Sequence, residues 1–170
     1  MFKDLVKERY SCRSFKPIKV EEEVLQRILE IGNLAPTAKN IQPQRIYILE
    51  SEEALTKLDA LTPCRYGAKT VLLFTYDKDE EWKNSFEEGV HSGVEDVSIV
   101  ATHIMLAAKE EGLDTCWCNY FPNTKLEKAF NIPENERSVL FMCIGYADEK
   151  AIKSPMHNAK KDLKETVKKL

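Results

Sequence analysis

The chain has 170 residues, 43% of them apolar and 31% charged, and a net charge of -3. That length fits one domain with a sizeable core. The acidic balance argues against a general nucleic-acid binder, which would carry a basic face, but leaves room for a local basic pocket.

The start of the chain carries Lys3, Asp4, Lys7, Glu8 and Arg9, where a secretory signal needs an apolar stretch of roughly 7–15 residues. Apolar runs such as residues 71–74 are too short to span a bilayer. The expectation is a cytoplasmic protein with no membrane partner. Cys12, Cys64, Cys116, Cys118 and Cys143 are odd in number and scattered, unlike a disulfide framework. Cys116 and Cys118 read as two small apolar side chains on one face of a strand.

No repeat, low-complexity tract or linker divides the chain, so residues 1–170 are expected to form a single domain. Phe2, Leu5 and Val6 sit at helical spacing. Val24, Leu25, Ile28, Leu29 and Ile31 predict a second helix, ending near Gly32 and Pro36. A polar loop follows over 37–43, then a strand over 46–49, and a short helix with Leu55, Leu58 and Leu61 on one face. Residues 70–76 read as a buried strand. A helix is expected over 79–88, with Trp82 and Phe86 on one face.

Ser92 followed by Glu95 has the capping-box pattern and opens the strongest helix. Its stripe of Val97, Val100, Ala101, Ile104, Met105 and Ala108 is wide enough for a central or interface helix, and Gly112 stops it. A short strand is expected over 114–118. Asn123 is the expected cap of a helix carrying Leu126, Ala129 and Phe130, and a last strand covers 139–145. The tail from Lys150 is polar, with an amphipathic helix expected over 162–170. This interleaving suggests an α+β layered domain.

Two stretches carry candidate chemistry. Arg9, Ser11, Arg13 and Ser14 place two planar cationic donors and two hydroxyls close together, a set suited to phosphate. Taken alone, they fit a solvated basic turn. Thr37, Ala38, Asn40 and Gln42 lie between Pro36 and Pro43. Asn40 and Gln42 each offer donors and an acceptor, as the edge of a heterocycle requires. Taken alone, this is an ordinary helix-to-strand loop.

Together, R-x-S-x-R-x-F and A-P-T-A-x-N-x-Q-P resemble the nitroreductase family of flavoproteins. Residues 94–117, then Ile132-Pro133-Glu134 and Cys143-Ile144-Gly145-Tyr146, continue the resemblance in order. It implies a three-layer α-β-α fold of α+β class. The sheet would be mixed and mainly antiparallel, with interface helices and an extended C-terminal arm over 150–170 that wraps the partner subunit. It also implies a homodimer with FMN shared between subunits, and NAD(P)H and a small acceptor (nitroaromatic, quinone or flavin) used in ping-pong order.

By the same resemblance, Arg9, Tyr10, Ser11 and Arg13 hold the phosphate, ribityl chain and pyrimidine side, with Arg13 near the N1–O2 edge. Thr37, Ala38, Asn40 and Gln42 reach the flavin from the opposite subunit. Cys118, Asn119 and Tyr120 lie near flavin N5, and Lys160, with Asn158 nearby, serves the phosphate. FMN is expected over FAD because no G-x-G-x-x-G loop is present for a pyrophosphate.

The chain departs from the family pattern in four places. Gln44 replaces an aromatic after Pro43, Lys160 stands where Arg is commoner, and Asn119 replaces Glu. The segment 76–94 is too short for a large lid, so an open pocket is expected. A dehalogenase, a flavin-remodelling enzyme, a non-catalytic flavin sensor and a cofactor-free interaction module are the competing readings. Two side-readings stand beside them: a reactive Cys12 activated by its arginines, and a zinc site from His103, Cys116 and Cys118. Neither is needed for flavin chemistry, and no catalytic side chain or metal ligand is assigned.

Overall fold

A computed structural model describes residues 2–170. Ten elements follow one another: α1 (Phe2–Glu8), α2 (Glu22–Asn33), β1 (Gln44–Leu49), α3 (Glu52–Asp59), β2 (Thr70–Asp77), α4 (Gly93–Glu110), β3 (Asp114–Cys118), α5 (Asn123–Ala129), β4 (Glu136–Gly145) and α6 (Leu163–Thr166). The four strands form one sheet in the order β1-β2-β4-β3.

β2 and β4 are central and covered on both faces, so their sequences run apolar without alternation. Even-numbered residues of β2, such as Leu72 and Phe74, face a core layer with Leu25 and Ile28 of α2 and Val97, Val100 and Ile104 of α4. The opposite face meets a second layer built from α3, α5 and the Tyr10 to Phe15 stretch. This is the three-layer α+β arrangement expected. Every named ladder is antiparallel. The parallel part of the expected mixed sheet reduces to a single bridge, Ser11 to Thr115.

The second layer also holds sulfur. Cys12, Cys116, Cys118 and Cys143 are buried there, and Cys64 packs against them. The Cys116 and Cys118 sulfurs lie 3.8 Å apart, as expected for residues two apart on one strand face.

Four local expectations are corrected. Residues 79–88 form no helix. Instead Lys83 bridges His91, Asn84 N–H donates to Val90 O at 2.9 Å, and Gly89 takes a φ of +80°. Phe86 stands 98% exposed at the tip. The capping box at Ser92 is absent, because its hydroxyl donates to Asp96 Oδ2 at 2.7 Å. Gly93 N–H is met by Glu81 Oε2 at 3.1 Å. Asn123 is the first helical residue after Pro122, and its amide donates to Ser138 O at 2.8 Å. The tail helix starts where expected, with a capping box at Asp162, but ends after one turn.

Candidate functional site

The Ser11–Thr115 bridge lays the arginine stretch along the start of β3, an edge strand of the sheet. Cys12 N–H donates to Thr115 O at 2.9 Å. Residues 153–160 fold onto the same stretch. Lys153 sits over the Tyr10 ring at 5.2 Å, and His157 Nε2–H donates to Lys7 O at 3.2 Å. Between them opens a cavity of about 260 Å³ lined by Arg9, Tyr10, Ser11, Arg13 and Lys160, with Ser154, Met156 and His157 closing it.

The charge pattern is selective. Of six arginines in the chain, Arg27, Arg45, Arg65 and Arg137 each pair with a carboxylate. Among the described residues, the two in the cavity, Arg9 and Arg13, have no such partner. Their donors are left for an anion. Burial and the charge of Asp114 push the Tyr10 phenol up to about 12.

The other sequence-predicted residues fall in two further places. Cys118 ends β3 and Asn119 and Tyr120 follow it, three to five residues beyond the bridge at Thr115, or at most roughly 10–17 Å along the chain. The Cys118 thiol faces the core, which leaves only its backbone at the surface end. Asn119 Oδ1 accepts from the Trp117 indole at 2.5 Å, and its amide donates to Val139 O at 2.8 Å. That side chain clasps β3 to β4. The Thr62 hydroxyl donates to Tyr120 O at 2.7 Å and fixes the turn.

Thr37, Ala38, Asn40 and Gln42 lie in a loop around a short 3-10 helix, Ala38–Asn40, with positive φ at Lys39, Asn40 and Gln42. Buried Asp96 holds this loop to α4, accepting from Ala38 N–H at 2.8 Å. Within one chain the loop does not line the cavity.

Several expectations are corrected here. Asn158 caps the 3-10 helix Pro155–His157 and is outside the cavity lining. Lys160 shares the cavity with Arg9 and Arg13 of its own chain, which leaves the expected wrapping of residues 150–170 around a partner a separate question. Cys12 is buried, its thiol donates to Ser14 O at 3.1 Å, and burial raises its pKa, the reverse of activation. His103 donates to Ile99 O at 2.8 Å on α4, across the sheet from Cys116 and Cys118, so the three do not meet. Ile104 is fully buried in its own core and presents nothing to a partner. His157, Ser154 and Met156 escaped the sequence reading, although His157 lies three residues before Lys160.

The layered α+β fold thus carries, beside an edge strand, a cavity that gathers the cationic side chains of Arg9, Arg13 and Lys160. The family model described as the Nitroreductase family matches residues 6–64 and 61–146. The chain belongs to the nitroreductase family and is an oxidoreductase of that type. A crystal structure of a nitroreductase family protein from Clostridium difficile 630 is 34% identical, with a TM-score of 0.90 over 97% of this chain and 95% of that one. A Methanothermobacter thermautotrophicus protein, whose name pairs NADH dehydrogenase with NAD(P)H nitroreductase, is 26% identical over 155 residues, 86% of this chain and 77% of its own. A structure from Exiguobacterium sibiricum 255-15, solved in complex with FMN, shares the fold at 21% identity, with a TM-score of 0.83 over 100% of this chain and 97% of that one.

Proposed function

We propose that this protein is an FMN-dependent oxidoreductase that works as a homodimer. The observation that carries the reading is the pair of arginines without carboxylate partners, joined in one cavity by Lys160. Three cations and the hydroxyls of Ser11 and Ser154 suit a single terminal phosphate. A complex of FMN with a protein of this fold supports the same choice.

Arg9, Ser11 and Lys160 would hold the phosphate. Arg13 would lie toward the ring, where a cation favours the reduced state. The backbone of Asn119 and Tyr120 would meet the reactive edge, since the Asn119 side chain is already engaged. FMN supplies the redox chemistry, taking reducing equivalents from NAD(P)H and passing them to a small acceptor. A ping-pong order follows if both substrates use one open face in turn.

The homodimer reading is supported by apolar groups left outside the core. Val94 and Ile99 on α4 are exposed, as are Phe2 and Val6 on α1. Such surface marks a partner contact. The Thr37 to Gln42 loop would then serve the cavity of the other subunit, which accounts for its position away from its own.

Anaerobic stopped-flow spectroscopy of the FMN-loaded protein tests the reading. NADH or NADPH should bleach the flavin, and a quinone or nitroaromatic should restore it. A bound flavin that neither nicotinamide bleaches would favour the sensor alternative.

A further inference from the structure

The two walls of the arginine cavity are held in different ways. Arg9, Tyr10, Ser11 and Arg13 belong to a stretch that bridges β3 at Thr115 and buries Tyr10 and Cys12. The facing wall is Ser154, Met156, His157 and Lys160. Among the described residues, no backbone hydrogen bond ties 153–160 to the rest of the chain. The root of this segment is fixed, since Phe15 bridges Ala147 and Asp148 N–H donates to Ser14 O at 3.0 Å. Beyond Lys153 the backbone bonds are local: His157 N–H to Ser154 O at 2.8 Å, and Ala159 N–H to Met156 O at 3.2 Å. Burial does not hold it either, because Ile152 and Met156 are 83% and 78% exposed.

Side chains hold it instead, at the C-terminal end of α1. The last carbonyls of a helix have no partner within it and carry partial negative charge. His157 Nε2–H donates to one of them, Lys7 O, at 3.2 Å, and the Lys153 ammonium lies 3.5 Å from the next, Glu8 O. Both groups rest on the buried Tyr10 ring. His157 meets it edge-on with centroids 6.5 Å apart, and Lys153 sits 5.2 Å over its face. Lys160 follows three residues later. Its ammonium donates to His157 O at 3.0 Å, so the cation travels with the imidazole-bearing turn.

We propose that residues 153–160 are a strap that carries Lys160 to the cofactor phosphate, and that His157 is the positioning residue that latches the strap to α1. The proposal rests on the flavin reading for its ligand. Arg9 and Arg13 are the preset half of the site, and Lys160 completes it when the strap is down. A phosphate that gains a third cation in the closed state shifts the strap toward closure, and a latched strap binds the phosphate more tightly. His157 acts through its bond to a carbonyl and not through the phosphate, because its Nε2–H is already engaged by Lys7 O.

Fluorescence titration of FMN into the apoprotein tests the latch in a double-mutant cycle of His157→Ala and Lys160→Met. Each should weaken FMN binding by about tenfold, the order for a charge-assisted contact near a surface. The double variant should bind little worse than Lys160→Met alone, because a loosened strap has already withdrawn the ammonium. His157→Gln keeps an amide donor at the reach of Nε2 and should recover most of the affinity. Losses that add, or a glutamine no better than alanine, overturn the latch. Trypsin gives a reading that needs no flavin. Cleavage after Lys153 in the apoprotein should be at least about fivefold faster in His157→Ala, as local opening requires. Equal rates would overturn the latch as well. His157 is half-buried on an exposed segment, so its variants keep the fold, and circular dichroism should be unchanged. A wild-type protein that binds no FMN overturns the flavin reading, and the role of Lys160 with it, whatever trypsin shows.

Discussion

Gly32 of α2 lies against Ile104 of α4 with no room between them: a Cβ at Gly32 would stand 2.5 Å from Ile104 Cγ1 and 2.8 Å from Cδ1. The glycine sits inside a regular helix, where alanine would ordinarily gain about 1 kcal/mol. Close approach of α2 to α4 is what it provides. Gly32→Ala should therefore destabilise the protein, by about 1–3 kcal/mol for overpacking. Adding Ile104→Val should recover part of the loss, although that change alone costs about 0.5–1.5 kcal/mol. Urea unfolding of the four variants gives the coupling. Simple additivity would remove the explanation.

Arg9→Ala should weaken FMN binding by about 1.5–3 kcal/mol, the range for a hydrogen bond to a charged group. Fluorescence titration of the apoprotein reads this directly, and the loss should shrink at high salt. An unchanged affinity would sink the phosphate assignment.

Ile99→Glu places a charge on the outward side of α4, where Ile104→Glu would only unfold the core. Sedimentation should show the dimer weakened by at least about tenfold, since an unpaired buried carboxylate is costly. Circular dichroism should be unchanged, and FMN should be lost along with the dimer. A folded monomer that binds FMN at wild-type affinity would refute the shared site.

Tyr47 donates to both oxygens of Glu136, at 3.0 and 2.9 Å. Burial and this carboxylate push its phenol up to about 12. A phenol whose folded pKa exceeds the ordinary 10 contributes its full stabilisation below pH 10 and loses it as pH rises toward 12. Stability should accordingly fall across that window, and Tyr47→Phe should flatten the slope. Thermal melts from pH 9 to 12 provide the measurement, and an unflattened slope in the variant would reject Tyr47 as its source.

The sequence made the fold legible wherever one face had to be buried. The spacing of Leu25 and Ile28, and the unbroken run through residues 71–74, can satisfy water in few other ways. It misled where a side chain had two partners to choose from. Ser92 could have capped its helix, but buried Asp96 takes its hydroxyl. Trp82 and Phe86 have helical spacing, yet Glu81 turns in to His91 and Gly93, and Gly89 closes a loop instead. Arg9, Ser11 and Arg13 alone read as a basic turn and stood out only through the paired motifs; the fold gathers them with Lys160 around one cavity. Thr62 and Asp96 were not, since each acts across more than fifty residues of chain.

All five thiols belong to one side of the sheet, while the α2 and α4 side has none. Cys64 alone among them is not buried. A maleimide tag should therefore add once to the native protein, at Cys64. Each further tag counts the opening of the layer beneath the sheet and is blind to the other. The number of added masses, followed against urea, tells whether that layer loosens before the molecule unfolds or only with it.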